Sequence, residues 1–219
     1  MSVWIKICGT TSLADAVLAA EAGADAVGFV FAPSPRRISS AQVADIVPKL
    51  PQALEKIGVF TDAAFEEIAW AVDSCGLTGV QLHFDAEAEL TAQLRGRFGQ
   101  ALRILRVMRF AVDAPGAAPT LIEDPNADAV LVDSCSKTGA GGTGISYDWD
   151  LAAEIVFRRG TGRKFIAAGG LNAASVAEAI ARLRPWGVDV ASGVESEPGR
   201  KSAAGVRDFI ANARAAARK

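Results

Sequence analysis

The chain is poor in the residues that metal, redox and secreted frameworks depend on. Its 219 residues include one histidine, His83, and three cysteines, Cys8, Cys75 and Cys135. A single histidine excludes a His-rich metal site, and cysteines without a CxxC pair give no zinc spacing. No metal site is expected from these residues. A sparse, odd cysteine count also speaks against a disulfide framework and for a reducing compartment. No run of 18 apolar residues occurs, so no membrane-spanning helix and no membrane partner are expected. The opening Met1-Ser2-Val3-Trp4-Ile5-Lys6 lacks a secretory signal's basic start and long apolar stretch. It reads directly as a strand, and a cytoplasmic protein is expected. The net charge of -2 leaves no basic footprint for nucleic acid. Any phosphate binding must therefore be local.

What is present is apolar and periodic. Half of the residues are hydrophobic, and no linker or low-complexity stretch divides them. Short β-branched runs alternate with longer Ala-rich segments. The runs are Val3–Cys8, Ala26–Phe31, Lys56–Phe60, Gly79–His83, Leu102–Met108, Ala129–Asp133, Phe165–Ala168 and Val188–Ala191. Helical segments are predicted over Ser12–Ala22, Ser40–Leu50, Ala63–Cys75, Ala86–Phe98, Trp149–Phe157, Ala173–Leu183 and Ala203–Ala217, with a short helix before Pro125. The strand runs are continuously apolar rather than alternating, as strands covered on both faces are. Strand–helix alternation implies a parallel sheet. Eight such units in this length predict a single (β/α)₈ barrel over residues 1–219, in the α/β class.

In such a barrel the chemistry sits at the C-terminal ends of the strands. That rule filters the polar residues. Cys8 ends the first strand, as a base or nucleophile if its thiolate is favoured, or as a small buried residue. The Pro-stiffened loop Ala32-Pro33-Ser34-Pro35-Arg36-Arg37 carries guanidiniums that suit a carboxylate or else face solvent. His83 ends the fourth strand, as an acid–base group or a packing residue. Asp133 follows three apolar residues in the sixth, where a carboxylate is costly unless paired or used. Asp189 lies inside the eighth strand, and the sequence leaves its role open. Three glycine signals, Gly141-Gly142-Thr143-Gly144, Gly169-Gly170 and Ser192-Gly193, follow strands six, seven and eight. Glycine lets backbone N–H groups approach an anion, and these loops are the usual phosphate site of the fold. The residues alone describe a barrel enzyme acting on a small phosphorylated molecule, with Cys8, Asp133, Asp189 and His83 as candidate acid–base groups.

Several segments bear a closer likeness. Lys6-Ile7-Cys8-Gly9-Thr10, Gly23-Ala24-Asp25-Ala26-Val27-Gly28-Phe29-Val30-Phe31, Ser34-Pro35-Arg36, Gln81-Leu82-His83 and Leu131-Val132-Asp133 occur in order. So do Gly141-Gly142-Thr143-Gly144, Ala168-Gly169-Gly170-Leu171-Asn172, and Asp189 through Ser192-Gly193-Val194-Glu195 into Pro198-Gly199-Arg200-Lys201. With these the chain resembles the phosphoribosylanthranilate isomerase family of tryptophan biosynthesis over nearly its whole length. The resemblance implies an Amadori rearrangement of N-(5-phosphoribosyl)anthranilate to 1-(2-carboxyphenylamino)-1-deoxyribulose 5-phosphate. It implies Asp133 as general acid, Cys8 as general base, Arg36 on the anthranilate carboxylate and Asp189 orienting the substrate. Gly142, Thr143, Gly144, Gly169, Gly170, Ser192 and Gly193 would hold the phosphate. It implies no metal or organic cofactor, and a monomer or homodimer is compatible with it.

Acid–base work requires pKa values near working pH. Partial burial is expected to raise Asp133, and a nearby cation to lower Cys8. Lys6 lies two residues from Cys8, on the same strand face, and is the candidate cation. Two positions depart from the family pattern: Phe84 stands where glycine is usual, and Ile145 where lysine is frequent. The rival readings are a related aminoaldose-phosphate isomerase, expected to carry aspartate in place of Cys8, and a silent barrel that only binds a phosphorylated metabolite.

Overall fold

The computed structural model describes residues 3–83, 88–111, 123–135, 147–158 and 162–218. Eight parallel strands close into a barrel in chain order. They are β1 (Trp4–Ile7), β2 (Ala26–Val30), β3 (Glu55–Phe60), β4 (Gly79–Leu82), β5 (Arg103–Ala111), β6 (Ala129–Cys135), β7 (Phe165–Ala167) and β8 (Gly187–Val190). The closing pair, β1 against β8, sets Lys6 opposite Asp189. The helices are α1 (Leu13–Glu21), α2 (Ser40–Ile46), α3 (Phe65–Cys75), α4 (Ala88–Phe98), α5 (Trp149–Ala152), α6 (Val176–Leu183) and α7 (Ala203–Ala216). This is the (β/α)₈ barrel that the alternation predicts. The short helix expected before Pro125 falls largely on residues outside those described.

Local chemistry sets the helix ends. Ser12 accepts from the Asp15 N–H, Ser202 from that of Gly205, and Ser39 forms a reciprocal capping box with Gln42. Gly76, at φ 66°, ends α3 in the left-handed conformation. α2 stops four residues short of the predicted Leu50, because Pro48 removes a donor and the chain tightens into a 3₁₀ turn at Val47–Lys49. α5 passes into a π turn over Ala153–Phe157.

The alternation of strand side chains divides the core into two layers. Trp4, Ala26, Ile57, Leu105, Val107, Ala129, Leu131 and Ile166 fill the barrel interior. Their neighbours Ile5, Val27, Ile104, Val130 and Val188 pack outward in the shell of residues that includes the helices. Both strand faces are therefore covered. Each fully buried aliphatic side chain contributes about 1.5–3 kcal/mol.

One element is new relative to the sequence reading. After β8 a 3₁₀ turn, Ser192–Val194, leads into an antiparallel hairpin of β9 (Glu195–Glu197) and β10 (Arg200–Lys201). Thr11 Oγ1 donates to the Gly199 carbonyl at 2.5 Å, fastening the hairpin to the loop after β1. Strands of three and two residues are too short to leave a periodic signal.

Outside the barrel wall, Arg106 of β5 donates from Nη1 to Asp124 Oδ2 at 2.8 Å, with side chains only 8% and 3% exposed. Asp124 Oδ1 also accepts from the Asn126 N–H. Removing one member of such a pair strands the other charge, which costs about 3–5 kcal/mol. Asp124→Ala should therefore lower the thermal midpoint by roughly 6–20 °C. Circular dichroism melting checks this, and a shift below about 2 °C would show that the pair contributes no stability.

Candidate active site

Trp4, Lys6 and Cys8 share the inner face of the first strand. Lys6 is fully buried, and its Nζ donates to Asp189 Oδ1 at 2.8 Å and Gln81 Oε1 at 2.9 Å. Burial alone would depress the ammonium's pKa, but Asp189, with a smaller contribution from Cys8, holds it above the usual lysine value. Gly28 on β2 makes the space for this group. A Cβ there would lie 2.8 Å from Cys8 Sγ and 3.0 Å from Lys6 Cε.

Cys8 is buried directly above Lys6, just past the end of β1. The expected cation is in place and does pull the thiol down. The expected direction is nevertheless wrong. Burial is the larger effect, Asp189 adds to it, and the Cys8 pKa is raised.

Across the barrel, Asp133 projects from β6 with its side chain 13% exposed, and its Oδ2 lies 3.3 Å from His83 Nε2. The His83 backbone N–H is held by the Phe60 carbonyl, which fixes the end of β4. Arg109 of β5 stands opposite Asp133 in the strand register. Tyr147 is buried beside Phe110, and burial, reinforced by the charge of Asp133, keeps its hydroxyl protonated. The sequence reading misses Arg109 because it ends the fifth strand at Met108, whereas β5 runs on to Ala111. With the strand extended, the rule of C-terminal strand ends picks Arg109 out at once.

Arg36 leaves the Pro-stiffened loop and lies against the loop after β1. Gly9, at φ 71°, gives it room, since a Cβ there would lie 2.6 Å from Arg36 Cδ. Its guanidinium is forked on Glu195: Nε donates to Oε1 and Nη2 to Oε2, both at 2.8 Å. Desolvation pushes the Glu195 carboxyl up, but Arg36 and Lys201 outweigh it and leave the carboxyl below its ordinary value. The neighbouring Arg37 is exposed.

The loops after β7 and β8 meet on the far side. Gly169 and Gly170 both take left-handed backbone, at φ 76° and 67°. A Cβ on Gly169 would lie 2.5 Å from the Ser134 nitrogen, and one on Gly193 only 1.9 Å from the Leu171 carbonyl oxygen. Glycine at 193 is thus what lets the two loops abut, and glycine at 169 lets the loop after β7 close on the end of β6. Gly142, Thr143 and Gly144 lie outside the described residues, as do Phe84 and Ile145.

These side chains surround one cavity of about 390 Å³ at the C-terminal ends of the strands. Cys8, Arg36, His83, Arg109, Asp133 and Asp189 line it, with Gly169, Gly170 and Ser192 along one edge. That size suits a small metabolite. A wider hollow of about 900 Å³ lies beside Trp186, α6 and α7, but its described lining holds no thiol, carboxylate or histidine. A thiol and a carboxylate on opposite walls of a single polar cavity can move protons at two points of one ligand.

Known proteins give the same result. The family model for N-(5'-phosphoribosyl)anthranilate (PRA) isomerase matches residues 5–212. The N-(5'-phosphoribosyl)anthranilate isomerase of Pelobacter propionicus is 40% identical over 207 residues, covering 94% of this chain and 93% of its own. The crystal structure of phosphoribosyl anthranilate isomerase from Thermotoga maritima is 33% identical, covers 97% of this chain and 99% of its own, and superposes with a TM-score of 0.82. A further solved isomerase of this kind, 32% identical with a TM-score of 0.78 and covering 97% and 99%, is in complex with reduced 1-(o-carboxyphenylamino)-1-deoxyribulose 5-phosphate. With a match running through nearly every strand end that lines the cavity, the chain belongs to the N-(5'-phosphoribosyl)anthranilate isomerase family.

Proposed function

We propose that the chain isomerises N-(5-phosphoribosyl)anthranilate to 1-(2-carboxyphenylamino)-1-deoxyribulose 5-phosphate with Asp133 as general acid and Cys8 as general base. The observation that carries this reading is the placement of those two groups on β6 and after β1, lining one cavity. Asp133, as the general acid, delivers a proton to the furanose ring oxygen. The C1–O bond breaks and the anilino nitrogen's lone pair forms an iminium. The Cys8 thiolate then removes the proton from the adjacent sugar carbon, and the electron pair moves to give the enolamine. Tautomerisation of the enolamine yields the ketone. The sequence balances without an oxidant, a reductant or a cofactor.

The surrounding residues support each role. His83, 3.3 Å from Asp133, can receive a hydrogen bond or return one as the carboxyl changes charge. Lys6 sits under Cys8 and favours its thiolate, although burial opposes it. Asp189 accepts from Lys6 with Oδ1, and its other oxygen is available to the substrate amine. Arg36 faces the carboxylate of the anthranilate ring. The abutting loops at Gly169, Gly170, Ser192 and Gly193 receive the phosphate, with Gly142, Thr143 and Gly144 assigned to the same task by sequence. The partner in this reading is the phosphorylated substrate alone, in a cytoplasmic monomer or homodimer. No helix among the described residues is long and apolar enough to cross a membrane.

Turnover is read from the decay of anthranilate fluorescence. Cys8→Ala and Asp133→Asn should each lower kcat by about 10²–10⁴-fold, the range for a lost acid or base. Turnover surviving in both variants would overturn the mechanism. The Cys8 thiol itself gives a second test. Because burial raises its pKa, alkylation by iodoacetamide should be slow at neutral pH and climb through a midpoint above the free thiol value of about 8.5. Mass spectrometry of the Cys8 peptide separates it from Cys75 and Cys135. A midpoint below the free thiol value would mean that Lys6 outweighs burial.

A further inference from the structure

The hairpin after β8 carries a charge cluster that the reaction scheme does not use. Lys201 is fully buried, and its Nζ donates to Glu195 Oε1 at 2.9 Å, to the Cys8 carbonyl at 2.6 Å and to the Ala191 carbonyl at 3.1 Å. All three of its donors are thereby engaged. Glu195, only 4% exposed, is held by Lys201 on one oxygen and grips Arg36 with both. The hairpin ladder pairs Lys201 with Glu195, so the anchor is built into the backbone register.

The geometry of the grip has a consequence for ligands. Glu195 takes the Nε and Nη2 side of the guanidinium. A guanidinium has five N–H donors in a rigid plane, so this leaves the terminal edge, Nη1 with the outer N–H of Nη2, for a second carboxylate. Among the described residues Nη1 has no partner, and Arg36 lines the cavity. The charges agree. Lys201 and Arg36 are positive and Glu195 negative, so the cluster carries one net positive charge that one ligand carboxylate neutralises. Without Lys201 the Arg36–Glu195 pair would present no net charge to an incoming anion.

We propose that Glu195, anchored by Lys201, is a positioning residue that fixes the Arg36 guanidinium so that its terminal edge selects substrates whose aryl amine carries an ortho-carboxylate. This rests on the reading that Arg36 receives the anthranilate carboxylate. The cluster separates orientation from charge. If charge alone mattered, neutralising Glu195 would strengthen carboxylate binding by freeing Arg36. If orientation matters, the same change weakens it, because a glutamine amide can accept from only one of the two donors and the plane swings.

The test compares two ligands in each protein by calorimetry: reduced 1-(o-carboxyphenylamino)-1-deoxyribulose 5-phosphate, and its phenylamino counterpart without the carboxyl group. The ratio of their Kd values isolates the carboxylate, and a loss of folded fraction cancels within each variant. In the wild type the carboxylate should improve binding by about tenfold or more, as a charge-assisted forked bond does. Glu195→Gln should cut that ratio at least about fivefold and leave the carboxyl-free ligand within about twofold. Glu195→Asp, which keeps the charge, should retain more of the ratio than the glutamine. An unchanged or increased ratio in Glu195→Gln, or an equal loss for both ligands, overturns the positioning role. Arg36→Met distinguishes the two levels. A ratio that survives there overturns the assignment of Arg36 itself, whereas a ratio lost there but kept in Glu195→Gln overturns the positioning role alone.

Discussion

The ion pair between Lys6 and Asp189 sits where the barrel closes and where its apolar filling stops. The two residues face each other across the β1–β8 seam, and Gln81 of β4 completes the layer from another wall. Below them the interior is Trp4, Ala26, Ile57 and their neighbours. Above them it is a cavity with water-accessible polar walls. Taking two charges from water costs several kcal/mol per ion, which only close geometry and further hydrogen bonds recover. A hydrophobic layer here would close the barrel as well. It would also leave the cavity with an uncharged floor, no cation beneath Cys8 and no Asp189 carboxylate in its lining. The pair is better explained by the chemistry above it than by stability.

That floor constrains the residues around it. Gly28 has to lack a side chain because Cys8 and Lys6 occupy its space. Gly169 has to lack one because Ser134 of β6 is there, and Gly193 because the backbone of Leu171 in the loop after β7 is there. Glycine in a strand or a tight turn weakens it locally. Three such positions around one cavity are local costs accepted for close approach, which is the usual signature of a site rather than of a scaffold.

Much of this was legible in the chain because it depends on periodicity. Continuous apolar runs gave the strands, helical spacing gave the helices, and the strand-end rule then singled out Cys8, Arg36, His83 and Asp133, all of which line the cavity. The resemblance added the reaction. What stayed hidden depends on contacts between distant positions. Arg36 meets Glu195 across 159 residues and Lys201 meets the Cys8 carbonyl across 193, so no local pattern announces either. The direction of the Cys8 shift is hidden for a related reason. The cation two residues away is visible in sequence, but the depth of burial that outweighs it is a property of the closed barrel. Arg109 stays hidden because the apolar run ends at Met108, whereas pairing with β6 carries β5 on to Ala111.

The charges also divide between the two ends of the barrel. At the N-terminal end, Arg214 of α7 reaches Asp25, which in turn accepts from the Ile5 N–H ahead of β2. Arg95 of α4 reaches Asp128 and the Asn126 carbonyl ahead of β6, and Arg103 at the start of β5 pairs with Glu55 at the start of β3. Each joins a helix or strand to the start of another strand, away from the cavity. At the C-terminal end a fork like that of Arg103 on Glu55 joins Arg36 to Glu195, but there the guanidinium lines the cavity. The difference lies in place and in charge: Lys201, buried beside Glu195, balances that carboxylate, so the cluster keeps the positive charge of Arg36 at the cavity wall.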